Sequence, residues 1–324
     1  MNCQQAMENL NLMHSKLKEY FVAGEKVLKP LWAGIIAGGH LLFEDNPGLG
    51  KTFLVKLLAG ITGCSWKRVQ FTPDLLPADI VGTRVWKPRN GDFSLEKGPV
   101  FTNFLLADEI NRAMPKTQSA LLEAMEERQV TIEGQTYFLG SPFLVLATQN
   151  PIENEGTYPL PEAQMDRFIM KLSLGYAQTL EEECEIIRRR IKWGRDDPSR
   201  EIEPVMTQEK LLELQRQGEK IMLDENVQRY IGDLVRNTRE DSRIRVGASP
   251  RGSLALLKLS RALALMNGRD YVLPDDVNQV AFPALVHRLV LDMEYYLEGG
   301  TAEKVLEEIV ERVEVPRDYH SGGW

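Results

Sequence analysis

Eight residues, Asp45-Asn-Pro-Gly-Leu-Gly-Lys-Thr52, constrain this chain more than any other stretch. An apolar run, His40-Leu-Leu-Phe43, precedes them and reads as a short buried strand. A helical pattern follows from Lys51 to Ala59, with Leu54, Leu57 and Leu58 on one face and Gly60 as its stop. A glycine-rich turn between a strand and a helix is the setting of a phosphate-binding loop. Gly48 and Gly50 let the backbone curl so that its N–H groups point at phosphate oxygens, and the helix starting near Lys51 adds its positive end. Lys51 would reach the outer phosphates and the Thr52 hydroxyl would ligate Mg²⁺. The strict pattern has Gly where this chain has Asp45. Asp tolerates positive φ better than most residues, so the expected turn survives.

Phe104-Leu-Leu-Ala-Asp-Glu109 reads as a buried strand ending in two acids. The carboxyl end of a strand is where α/β sheets place their ligands. Asp108 would hold Mg²⁺, directly or through water, and Glu109 would polarise an attacking water. The candidate nucleotide-binding set is therefore Asn46, Pro47, Gly48, Leu49, Gly50, Lys51, Thr52, Phe53 and Asp108, with ATP and Mg²⁺ as the cofactors. Phe143 to Ala147 is a third strand candidate, within a run that ends at Asn150. If it neighbours the acid-bearing strand, Asn150 lies beside the outer phosphate. Taken locally, Asn150 is a turn residue before Pro151.

Strands alternating with helices argue a parallel α/β sheet. Pro115 opens one of those helices. After about residue 175 the strand candidates vanish. Helical patterns follow at Leu180 to Ile191, then at about 208–222, 226–239, 251–267 and 274–291. The expected organisation is an α/β core over 1–175 and an all-helical domain over 176–324. A length of 324 residues suits two domains at roughly 100–200 residues each.

The net charge of −8 argues against a dedicated nucleic-acid binder. Cys3, Cys64 and Cys184 are odd in number and widely spaced, which excludes a disulfide framework or a CxxC zinc site. His14, His40, His287 and His320 form no ligand pattern. The polar N-terminus has no apolar signal core, and the stretch Leu31 to Phe43 is too short to span a bilayer. A cytoplasmic location is expected.

The motifs in order are the phosphate loop, Ala107-Asp-Glu-Ile-Asn-Arg-Ala113, Ala147-Thr-Gln-Asn-Pro151, Pro161-Glu-Ala-Gln-Met-Asp-Arg-Phe168 and Gly247-Ala-Ser-Pro-Arg251. This order resembles the MoxR family of AAA+ ATPases, over about residues 22–316. The segments Glu155-Gly-Thr-Tyr-Pro-Leu-Pro-Glu162 and Gly247 to Gly252 are the most specific to it. The resemblance implies an AAA+ core with a helical lid, working as a ring, usually a hexamer. It makes Lys51 and Thr52 Walker A, Asp108 and Glu109 Walker B, and Asn150 sensor-one. It makes Arg167 an arginine finger for a neighbour's nucleotide, and Arg251 sensor-two, in its own subunit or across the interface. The stretch near Val22 and His40 matches the adenine-side wall. Two hairpins fit the clade that includes magnesium-chelatase motors. One spans Trp86 to Ser94 and turns at Asn90-Gly91, where that clade interrupts its second core helix. The other spans Val130 to Tyr137 and turns at Glu133-Gly134. The implied activity is ATP-driven remodelling of a protein partner, such as one with a von Willebrand factor A domain. A magnesium-chelatase-like motor and a nucleotide-switched scaffold are the alternatives.

Overall fold

The computed structural model describes residues 2–88, 91–150 and 156–318. Five parallel strands form the central sheet, in the order Trp66–Gln70, Phe104–Asp108, Leu144–Gln149, Leu41–Glu44, Met170–Leu172. The central three are buried on both faces, which is why they are continuous apolar runs rather than alternating ones. Side chains still alternate in direction. Leu41, Phe43, Leu106 and Leu146 enter one apolar cluster, while Leu42, Leu105, Val145 and Ala147 enter a second on the opposite face.

The helix after the phosphate loop runs Lys51–Thr62, past the stop expected at Gly60. Gly63 ends it instead, with φ +63° and its N–H bonded back to Ala59 and Gly60. Pro115 opens the helix Pro115–Glu127 as expected. Both insertions are antiparallel hairpins. Gly82–Lys87 pairs with Asp92–Lys97, and Trp86 faces Phe93 with ring centroids 5.1 Å apart. Gln129–Ile132 pairs with Gln135–Phe138, and Glu133 and Gly134 both take positive φ. Of the first turn, Gly91 has φ +63°, whereas Arg89 and Asn90 lie outside the described residues, as do Pro151 to Glu155 and His320. The first hairpin follows a five-residue helix, Pro77–Val81, and among the described residues no helix resumes before Phe104.

The C-terminal region is helical: Leu180–Trp193, Gln208–Gly218, Glu225–Glu240, Pro250–Met266, Pro274–Leu285 and Ala302–Arg312 are its longer helices. Thr179, Thr207, Asp224, Ser249 and Thr301 cap five of them with a side-chain oxygen on a backbone N–H. The helix expected over 274–291 stops early. It runs two residues past Pro283 to Leu285, and beyond Val286–Arg288 the chain forms a two-stranded ladder, Val290–Leu291 with Ile244–Val246. Two N-terminal helices, Cys3–Tyr20 and Glu25–Ile36, pack against these C-terminal helices. One apolar cluster runs without a break from Leu10 and Leu31, through Leu57 and Leu146, to Leu259 and Leu306.

Candidate nucleotide-binding site

The phosphate loop leaves the carboxyl end of Leu41–Glu44, next to the end of Leu144–Gln149. Gly48 has φ +87° and Gly50 φ +79°, conformations that would strain any side chain. A Cβ on Gly50 would also stand 3.3 Å from the Phe21 ring. The loop borders a cavity of about 470 Å³ whose lining includes Lys51, Thr52, Asp108, Glu109, Asn150 and Arg68. Topology therefore brings together the loop, both acids and Asn150. Lys51 donates to the carbonyls of Asp45, at 2.9 Å, and Asn46, at 3.3 Å. Burial pulls its pKa down, while Asp45, Asp108 and Glu109 oppose that.

Asp45 departs from the expected turn. Its φ is not positive, and its buried carboxylate accepts hydrogen bonds from Ser173 Oγ at 2.6 Å, Leu174 N at 2.9 Å and Gly175 N at 3.3 Å. The residue is there for its carboxylate and not for its tolerance of a glycine conformation.

The two acids are held by residues that the motif pattern does not single out. Thr148 Oγ1 donates to Asp108 Oδ1 at 2.7 Å and accepts the Glu109 N–H at 2.8 Å. Arg68 Nη2 donates to the other Asp108 oxygen at 2.7 Å. Gln70 Nε2 donates to Glu109 Oε2 at 2.8 Å, and Arg112 Nε lies 3.1 Å from the same oxygen. Glu109 has φ +57°, a left-handed conformation costing about 1–3 kcal/mol that the surrounding bonds must sustain. Thr148 lies inside the motif Ala147 to Pro151, but that it meets the acids follows from strand order, which is not written in the sequence.

A second cavity, of about 520 Å³, continues from the loop past Pro47, Gly48 and Phe53. Its walls are aromatic: Tyr20 stacks on Trp193 with centroids 5.8 Å apart, and Phe53 lies 6.1 Å from Trp193. Val22 lines it. His40 does not. It is buried beneath the sheet, where Val145 N–H donates to Nδ1 at 2.9 Å, so Nε2 carries the proton and donates to Met125 C=O at 3.1 Å. Burial, aided by Arg128, holds its pKa down at about 3.

Arg167 and Arg251 line neither cavity. Both border a third, of about 380 Å³, where Glu126 lies between them. Arg251 Nη2 donates to Glu126 Oε1 at 2.6 Å, and Arg167 Nε stands 3.8 Å from Oε2. Asp166 fixes this face. It accepts from Ser249 Oγ at 2.7 Å and from the buried Arg288 at 2.8 Å, while the same Ser249 Oγ caps Arg251 N at 3.0 Å. One carboxylate thus joins the segment carrying Arg167 to the helix carrying Arg251.

A glycine cradle beside an ammonium, a hydroxyl and two carboxylates fits a polyphosphate with Mg²⁺, and the adjoining aromatic cavity fits a base. Fold and site together define an AAA-type P-loop module with a lid. Residues 40–170 match the family described as "ATPase family associated with various cellular activities (AAA)", and residues 236–309 match the AAA lid domain. The chain is 42% identical over 311 residues to Chaperone MoxR1 of Mycobacterium tuberculosis, covering 93% of this chain and 81% of that one. It is 47% identical over 284 residues to YeaC of Bacillus subtilis, 88% of each. A crystal structure from Cytophaga hutchinsonii, 41% identical, superposes with a TM-score of 0.90 over 97% of each chain. The chain belongs to the MoxR family of AAA+ ATPases.

Proposed function

We propose that the chain is an ATP-hydrolysing, chaperone-like remodeller working as a ring, usually a hexamer, in which each nucleotide is completed by the neighbouring copy. The observation that carries this is the separation of Arg167 and Arg251 from the phosphate-loop cavity of their own chain. Paired across Glu126, they offer two guanidinium groups to a second copy's cavity, which favours a role across the interface for both.

In this reading Lys51 engages the outer phosphates and the aromatic cavity takes the adenine. Thr52 and Asp108 would hold Mg²⁺, which neutralises charge on the phosphate oxygens. Arg68 must then release the Asp108 oxygen it holds. Glu109, kept in place by Gln70 and Thr148, orients and polarises the water, and Asn150 borders the same space. The substrate is a protein, with a von Willebrand factor A domain protein in the cytoplasm as the partner. The two hairpins, with Trp86 half-exposed and Phe138 largely so, are suited to couple motor to substrate. The name of the MoxR1 relative supports a chaperone role.

The test is complementation. Arg167→Ala should retain ATP binding and lose about 10³–10⁵ in turnover, or about 4–7 kcal/mol of barrier. Lys51→Ala should lose nucleotide binding. Mixed in one ring, a Lys51→Ala copy lends its arginine to an Arg167→Ala neighbour, so phosphate release should partly return. Co-assembly of differently tagged copies without any recovery would refute the shared site.

A further inference from the structure

The carboxylate at the first position of the phosphate loop is still without a task. Asp45 is 6% exposed, and its carboxylate is held by three donors supplied by Ser173, Leu174 and Gly175. That segment joins the last core strand, Met170–Leu172, to the helix Leu180–Trp193. The next loop residue makes a second grip: Asn46 Nδ2 donates to the Tyr176 hydroxyl at 3.1 Å. Lys51 Nζ donates to the backbone carbonyls of these same two residues. A phosphate that engages the ammonium competes for those bonds, and so acts directly on the backbone whose side chains hold residues 173–176. The helix beyond is loosely seated, with no fully buried residue, and it carries Ile186, Arg189 and Trp193 into the aromatic cavity.

We propose that Asp45 and Asn46 are positioning residues that transmit occupancy of the phosphate loop to the helix Leu180–Trp193, and so set the base-side wall by way of the phosphates. This rests on the nucleotide reading above. The chain of contacts is Lys51, the carbonyls of residues 45 and 46, their side chains, the segment 173–176, and then the helix. The Asp45 bonds are charge-assisted and at least partly buried, so leaving one unpaired is costly, whereas the exposed Asn46–Tyr176 bond adds less.

Amide hydrogen exchange tests this, because it reads local opening segment by segment. The probe is inorganic tripolyphosphate with Mg²⁺, which can fill the phosphate loop but has no base to touch the helix. In the unaltered protein it should slow exchange both at 46–53 and, several-fold, at 180–193. Asp45→Asn should keep the slowing at 46–53 and lose it at 180–193. Ser173→Ala, which removes one donor and leaves the loop backbone alone, should lose much of it even if Asp45→Asn does not fold. Ser173→Thr, which restores the hydroxyl, should bring it back. Equal slowing at 180–193 in the unaltered protein and in Ser173→Ala would overturn the proposal. So would slowing at 180–193 by ADP and not by tripolyphosphate when both slow exchange at 46–53, since the base would then be the signal. Failure of ADP itself to slow exchange at 46–53 would instead overturn the nucleotide reading.

Discussion

Acidification should weaken this fold through His40. The ring bridges two elements: its Nδ1 accepts from Val145 in the central sheet and its Nε2 donates to Met125 near the end of the helix Pro115–Glu127. A second proton would set an N–H donor against the Val145 N–H, in a buried site beside Arg128. The folded-state pKa is therefore depressed, to about 3, from the usual 6.5. Between those values the unfolded chain binds a proton that the folded chain refuses, so stability rises with pH across that window and is lost as pH falls through it. At pH 5 the unfolded imidazole is about 1.5 units below its pKa, which amounts to about 2 kcal/mol of lost stability at about 1.4 kcal/mol per unit. That corresponds to about 4–8 °C in melting temperature for a domain of this size class. His287 shifts in the same direction, from burial first and Arg288 second, so the raw pH profile mixes the two. His40→Gln separates them. It can still offer an acceptor and a donor but does not titrate. Thermal melts from pH 7.5 to 5 should show a drop smaller in His40→Gln than in the unaltered protein by that 4–8 °C. Parallel profiles would refute the argument.

Three further substitutions probe other parts of the structure. Thr148→Val removes the hydroxyl bonded to both acids, and should lower ATP turnover by about 10–100-fold with nucleotide affinity retained; unchanged turnover would remove Thr148 from the site. Gly63→Ala forces a side chain to φ +63° with its Cβ 2.8 Å from the Met206 carbonyl, and should cost about 1–3 kcal/mol in denaturant melts with nucleotide binding intact. Asp166→Ala strands the buried Arg288 charge and should cost about 3–5 kcal/mol, read as a lowered melting temperature; a neutral result would mean that the pair adds nothing to joining the two arginine-bearing segments.

How much of this was legible in the sequence follows from the range of each interaction. The phosphate loop, the apolar strand ending in Asp108 and Glu109, the hairpin turning at Glu133-Gly134 and the proline opening of Pro115–Glu127 all depend on residues adjacent in the chain. They were readable for that reason. The Lys51 helix is legible but its end is not, because a glycine inside a helix and a glycine beyond its end look alike until one takes positive φ. The family resemblance places the stretch near His40 on the nucleotide wall, and that resemblance does not show what the imidazole itself bonds to. Its actual partners, Val145 and Met125, are 105 and 85 residues away. Thr148, Gln70 and Arg68 were invisible for the same reason: each acts on an acid about 40 residues distant, and only the strand order brings them together. Asp45 was noticed as a departure, yet its three donors lie about 130 residues downstream.

The unbroken apolar cluster from Leu10 through Leu57 to Leu259 bears on how such a motor can move. A lid with its own interior can swing like a door, exposing little on either leaf. Here the N-terminal helices, the sheet and the lid share one interior, and a wide swing would open leucines to water at about 25 cal/mol for each Å² uncovered. Close-packed side chains tolerate small sliding far better than separation. The movement that this interior allows a single copy is therefore a short shear, and in the proposed ring a large displacement of a substrate would be built by adding such shears from copy to copy.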